Sequence, residues 1–437
     1  MKRFWLILLS LGLIIAFSTS AFALDVKFSG EFYAAGVYLD KTNLKKDSGS
    51  DGISTAFYFQ RLRVRTDFVV SPGLTLVTRF DALERAWGAP RSTPGTTLAV
   101  DSAETAAENE NIAFDWVYIN YQSPIGTFDV GIMNDGSTGT IFGNSYAPAG
   151  RIKFSYPIGQ LTLNADYTKV KEGGYTAKNA ATAADTDDDK YGIEAVYRWK
   201  DGMAGAKIIY YRYANTRPAS NYKKAYYLIT PYAITKFGPV ALQAEINYAT
   251  GKDREYDNGT ADITLENISG WIDAAADFGK FYFGGTFAYV SGNDPGTTDK
   301  SEGGTLNGGR DWNPCLIMWN NDRYYWAGTL QGYDTAAQDS TMSNAYFVQG
   351  RAGIKPIDKL DIMASVAFAA ADKKPAGFLY NDYGYEIDLI ATYKITNNLS
   401  YMLGVGYLFT GKYYKGTGEA NHIADDYLVI NKLTLTF

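Results

Sequence analysis

The 437-residue sequence holds one cysteine and one histidine. A disulfide framework is excluded, and so is a site built from clustered His and Cys ligands. Cys315 is left as a small apolar residue for a buried position. Any Ser-His-Asp chemistry would rest wholly on His422, which stands among loop-forming residues. The expectation is a chain that is not an enzyme and needs no cofactor or metal. A long apolar run is also missing after residue 17, so no later segment reads as a spanning helix. The net charge of −6 argues against a nucleic-acid partner.

The N-terminus supplies a compartment. Lys2 and Arg3 precede an apolar run from Phe4 to Phe17, and Ala21-Phe22-Ala23 forms a small-x-small site. Residues 1–23 therefore read as a secretory signal peptide cut after Ala23. Its two basic residues leave with it, taking the charge from −6 to −8. Residues 24–437 remain as a single unit.

What the chain has in abundance is aromatic residues, 15% of the total with 35 tyrosines. They sit in segments of period two, the signature of strands with one apolar and one polar face. Eighteen such segments begin near Asp25, Ala56, Leu74, Ala113, Thr127, Gly150, Leu161, Lys190, Ala204, Tyr222, Val240, Ile263, Phe281, Ala345, Leu360, Tyr383, Leu399 and Ala424. The connections alternate in kind. Tight turns such as Ser71-Pro72-Gly73 and Thr396-Asn397-Asn398 use the residues that reverse a backbone. Long polar stretches, among them 41–55, 86–112, 134–149, 173–189 and 292–343, separate the remaining pairs.

Alternation alone fits a soluble sandwich as well as a membrane barrel. Strand length, one-sided loop lengths and tyrosines near segment ends favour the barrel. The predicted fold is an all-β, transmembrane, antiparallel up-and-down β-barrel of about eighteen strands, with sixteen as the alternative. Short turns would face the periplasm and long loops the exterior.

The last strand carries a further signal. Val429, Leu433, Leu435 and Phe437 share one face, and Lys432, Thr434 and Thr436 the other. A signal peptide, a strand directly behind it and a final Phe on an alternating strand resemble Gram-negative outer-membrane porins. That resemblance implies an outer-membrane location, contact with lipid and lipopolysaccharide, and a C-terminal signal (Leu433, Leu435, Phe437) read by the barrel-assembly machinery. Leu435 departs from the Tyr often found there. The stretch from Asp311 to Asn320, DWNPCLIMWN, is similar to the homotrimeric porins of sulfate-reducing bacteria. It implies a homotrimer passing small hydrophilic solutes by passive diffusion.

Candidate pore residues follow from the faces. Arg61, Arg63 and Arg65 fall on one side of a strand; near the midplane each would cost about 2–4 kcal/mol against lipid, so they face the lumen. Arg79, Arg85, Arg151 and Lys153 extend this basic set. The ladder either orients anions or braces the barrel through carboxylates such as Asp67 and Asp81. Glu245, Asp273, Glu386 and Asp388 supply acidic pore candidates. The early strands are the more basic and the later ones the more acidic, which suggests a field across the pore. The third long loop, 134–149, is the candidate constriction, with Asp135, Ile141, Phe142 and Tyr146 as its residues. Loop 292–343 is the candidate mouth or interface loop. The aspartates of 185–189 fail the EF-hand pattern at Lys190 and Val196, and read as a solvated acidic loop. The expected function is a porin, with an anion- or sugar-selective channel, or a closed barrel serving as adhesin or anchor, as alternatives.

Overall fold

The computed structural model describes residues 25–46, 54–88, 112–135, 139–144, 147–173, 186–217, 219–304, 306 and 309–437. The signal-peptide segment and Tyr146 lie outside these residues. Eighteen strands form one closed antiparallel barrel: β1 (Asp25–Leu39), β2 (Thr55–Ser71), β3 (Leu74–Ala86), β4 (Ile112–Ser123), β5 (Gly126–Asn134), β6 (Pro148–Ile158), β7 (Leu161–Lys171), β8 (Asp188–Trp199), β9 (Gly202–Tyr213), β10 (Tyr222–Phe237), β11 (Val240–Tyr256), β12 (Ile263–Asp277), β13 (Phe281–Val290), β14 (Ala345–Ile357), β15 (Leu360–Ala371), β16 (Asp382–Lys394), β17 (Leu399–Thr410) and β18 (Asp426–Thr436). Each begins within two residues of its predicted segment. A two-residue piece, Lys300–Ser301, adds a parallel bridge beside β12.

Closure runs through β1 and β18, from Glu31 opposite Thr436 to Leu39 opposite Leu428. Beyond that register, Gly30 N–H donates to Phe437 O at 2.8 Å and Phe437 N–H donates back to Gly30 O at 3.1 Å. A closed ladder leaves no strand edge, which hydrocarbon would not tolerate because nothing there could satisfy its N–H and C=O groups. Leu433, Leu435 and Phe437 point outward on this last strand.

The faces are inverted relative to a soluble protein. Ile272, Phe283, Val366 and Leu389 are exposed on the outer wall, whereas Asn267, Ser269, Thr286 and Gln349 are buried inside. An apolar outside around a polar inside is the arrangement a lipid-embedded barrel requires. Aromatic pairs mark both rims. Tyr38–Tyr427 and Tyr289–Tyr346 lie at the loop end, and Phe278–Phe281 at the turn end. Among the described residues no helix is long and apolar enough to cross a membrane.

Both chain ends of the barrel lie on the side of the tight turns. Gly73, between β2 and β3, takes φ +79°, a left-handed conformation that glycine adopts without steric cost.

Two expectations need correction. Arg85 was expected on the lumen face, but Leu83 takes φ +50° and the β2–β3 register shifts there. Beyond the bulge Glu84 is inward, and Arg85 lies opposite Gln60, on the face away from Arg61. The 185–189 aspartates are not a solvated cluster throughout: Asp188 and Asp189 are buried. Asp188 accepts from the backbone N–H of Ala214 at 2.9 Å, and Asp189 receives Tyr167 Oη at 2.8 Å and Lys169 Nζ at 3.1 Å.

Candidate functional site

Parts of two loops pack against inward-facing residues of the barrel wall. In 134–149, Asp135 receives Lys190 Nζ at 2.5 Å and Thr168 Oγ1 at 3.1 Å. Thr140 donates its N–H at 3.0 Å and its hydroxyl at 2.6 Å to Glu245 Oε2 on β11. Between them Gly139, at φ +111°, passes so close to Tyr232 that a Cβ would stand 2.8 Å from its ring. Phe142 is fully buried, parallel to Trp271 at 5.9 Å and edge-on to Trp312 at 5.3 Å. Ile141 beside it is exposed.

The second inserted loop is 292–343. Its segment Cys315–Trp319 is buried against inward residues of four later strands: Phe347, Ala367, Leu408 and Leu428. The wall holds this segment by hydrogen bonds as well. Glu386, on β16, accepts the backbone N–H groups of Ile317 and Met318 at 2.6 and 2.7 Å, one on each carboxylate oxygen. Asp388 accepts from Leu316 N–H at 3.4 Å and from Ser365 Oγ at 3.3 Å. A short helix, α1 (Asn321–Ala327), follows, with the Asn320 side chain capping Arg323 N–H at 2.8 Å. It lays Trp326 on Phe59 of β2, ring centroids 4.5 Å apart. Arg323 is buried and donates to the carbonyls of Ile317 and Gly328 at 2.8 and 2.9 Å. Burial pulls its guanidinium below the ordinary range, since a charge is costly away from water.

The loops also hold each other. Asn144 Nδ2 donates to Asp311 Oδ2 at 2.7 Å, while Asp311 N–H donates to Asn144 O at 3.2 Å. Gly309 N–H reaches Gly143 O at 3.3 Å.

A cavity of about 550 Å³ lies between the loops and β1–β4. Arg61, Arg63, Asp81, Glu84 and Asp115 line it from the wall, and Arg310, Asp311 and Asp322 from the loop. Three arginines and five carboxylates share this lining. The arginines of β2 and β3 are paired. Arg63 makes a two-pronged bond to Asp81, both contacts 2.6 Å, and Arg65 a similar one to Asp67 at 2.9 and 3.2 Å. Arg61 stands 3.6 Å from Glu84 and 3.7 Å from Glu31. Arg79 lies 3.5 Å from Asp115 and flat against Trp116, 3.6 Å from the ring centroid. Such forks fix the guanidinium plane while leaving its charge at the cavity wall. On the loop side, burial raises the Asp311 carboxyl above the ordinary range, opposed by Arg63 and Arg79.

The remaining predicted residues fall elsewhere in the lumen. Arg151 pairs with Asp166 at 2.9 Å, and Asp166 also receives Lys207 at 2.9 Å. Lys153 lies opposite Asp129 and Asp166 in the register. Asp273 takes both prongs of Arg351 at 2.7 and 2.8 Å, far from the ladder in sequence. Sequence reasoning missed Glu84, Asp115, Lys207 and the loop charges. A lone lysine in the apolar run around Ile208 and Ile209 was a usable signal for Lys207. Asp115 was hidden by the register shift between Arg79 and Phe80, which breaks the alternation of β4.

No protein family model and no curated protein matches the sequence. Solved structures share its fold. The outer membrane protein opdK of Pseudomonas aeruginosa is 11% identical, covering 94% of this chain and 99% of its own, with a TM-score of 0.51. A BenF-like porin from Pseudomonas fluorescens Pf-5 is 11% identical over 94% and 99%, with a TM-score of 0.52. OccK2 (OpdF) of Pseudomonas aeruginosa is 12% identical over 94% and 98%, at 0.50. The fold of this chain is thus that of outer-membrane β-barrels.

Proposed function

We propose that the protein is an outer-membrane porin through which small hydrophilic solutes and ions diffuse passively. The observation that carries this reading is the charged cavity left between the inserted loops and the arginine ladder, inside a wall whose outer face is apolar. Charged walls of both signs keep such a space hydrated and let polar solutes exchange water for protein contacts. The DWNPCLIMWN segment supports a homotrimer, and the alternating last strand with its terminal Phe supports recognition by the assembly machinery.

A selective channel is the second reading. It is favoured by the opposition of Arg61 and Arg63 on the wall to Asp311 and Asp322 on the loop. A field across a narrow passage aligns dipolar solutes. Planar-bilayer recording of the purified, unheated protein under a salt gradient tests both. Unitary current steps establish the channel, and saturation of the current by one solute class establishes selectivity. Folded protein that gives no steps overturns both readings and leaves a closed barrel.

A further inference from the structure

Glu386 and Asp388 stand two residues apart on β16, both inward and both buried. The inserted loop brings Cys315 to them. Its Sγ and one oxygen of each carboxylate lie within 4.8 Å of one another. Two acids and a thiol around one point repel each other when ionised, unless a positive charge joins them. Arg323, the nearby cation, donates instead to the Ile317 and Gly328 carbonyls.

A second observation concerns Asp388 itself. The residue is 1% exposed, yet among the described residues no N–H or hydroxyl group donates to its Oδ1. A buried carboxylate oxygen without a donor lacks a partner it needs. Gly406 faces that oxygen, and a Cβ there would stand 2.8 Å from Asp388 Oδ1 and 3.5 Å from Glu386 Oε1. Glycine therefore keeps the neighbourhood of the two carboxylates free of a side chain. The thiol too is weakly engaged, with Gln349 Nε2 at 3.8 Å.

We propose that Cys315, Glu386 and Asp388 bind one divalent cation of borderline-soft character, of the zinc class. Thiolate draws the site toward softer metals, and the two carboxylates keep it from being purely soft. Three ionised ligands, one divalent cation and the nearby Arg323 sum to no net charge, which suits a buried location. Glu386 keeps its loop N–H bonds, since each carboxylate oxygen has a second lone pair. On binding, the sulfur–hydrogen bond of Cys315 breaks, the proton goes to solvent and the sulfur electron pair forms the bond to the metal. The cation ties Cys315–Trp319 to the wall from inside the lumen.

The test uses the detergent-purified full barrel, stripped with chelator and titrated with Co²⁺ and then Zn²⁺. The expected result is about one Co²⁺ per chain, with a thiolate-to-cobalt charge-transfer band that Zn²⁺ abolishes. Cys315→Ser removes the band, and Glu386→Gln weakens binding about tenfold or more. Heat-modifiable gel mobility establishes that each variant is a folded barrel. The wild-type titration stands even if a variant fails to fold. Absence of a thiolate band in the folded wild type overturns the proposal, and a proton shared between Glu386 and Asp388 then accounts for the pair.

Discussion

Asn144 and Asp311 bind each other reciprocally: the amide of Asn144 donates to the Asp311 carboxylate, and the backbone N–H of Asp311 donates to the carbonyl of Asn144. These two residues are 167 positions apart and belong to the two loops that enter the barrel. The open cavity lies beside this joint. Asn144→Ala removes one charge-assisted bond at an exposed site, worth about 1 kcal/mol. Barrel stability in a denaturant titration should hardly change, whereas single-channel current noise should rise as the joint loosens. Unchanged noise would mean that the loops are held elsewhere.

The Arg63–Asp81 pair braces the wall and also contributes charge to the passage. Arg63→Met leaves Asp81, 7% exposed, without its fork. The expected loss is about 2–3 kcal/mol in denaturant midpoint experiments. The reversal potential under a salt gradient should move toward cations, because the lining becomes still more acidic. Arg63→Lys should restore the reversal potential but not all the stability, since lysine cannot make the bidentate contact.

Asp311 gives the passage a pH dependence of defined sign. Its carboxyl is raised by burial, so on acidification it takes up its proton before an ordinary exposed aspartate does. The cavity then loses negative charge while its arginines stay positive. Ion selectivity should therefore shift toward anions on acidification through the carboxylate range, beginning above the usual aspartate midpoint. Asp311→Asn should already show the shifted selectivity at neutral pH and lose the early part of the titration. An identical pH profile in wild type and variant would contradict the assignment.

Phe142 anchors the third loop through Trp271 and Trp312. Phe142→Ala should cost about 3–5 kcal/mol if the site cannot collapse. Because the residue lies between the two inserted loops, the variant should also conduct more than wild type. A stability loss with no change in conductance would make Phe142 a packing residue only.

The strands were legible because each carries its own pattern. Leu161, Leu163, Ala165 and Tyr167 alternate with polar neighbours whatever the rest of the chain does, and Pro72-Gly73 stops β2 by local chemistry. Register shifts broke that locality. At Leu83 the alternation slips by one, so Arg85 could not be placed by counting, and Glu84 took the inward position. Loop insertion was less legible still. Nothing in the sequence around Ile317 and Met318 names Glu386 as their partner, because a carboxylate accepting backbone N–H groups leaves no side-chain pattern on the donor. The glycines of loop 134–149 pointed to a close wall approach, and Gly139 against Tyr232 makes that contact.

On the proposed function, ions pass between the arginine ladder and the inserted loops. Ala113 lines that cavity on β4, and the native Cys315 is buried, so Ala113→Cys offers a defined accessible thiol. The measurement is single-channel current through Ala113→Cys before and after a charged methanethiosulfonate reagent, with Ile132→Cys on the outer wall as control. The account predicts a stepwise fall in current at Ala113→Cys and none at Ile132→Cys. An unchanged current from channels shown to be labelled at residue 113 would contradict it.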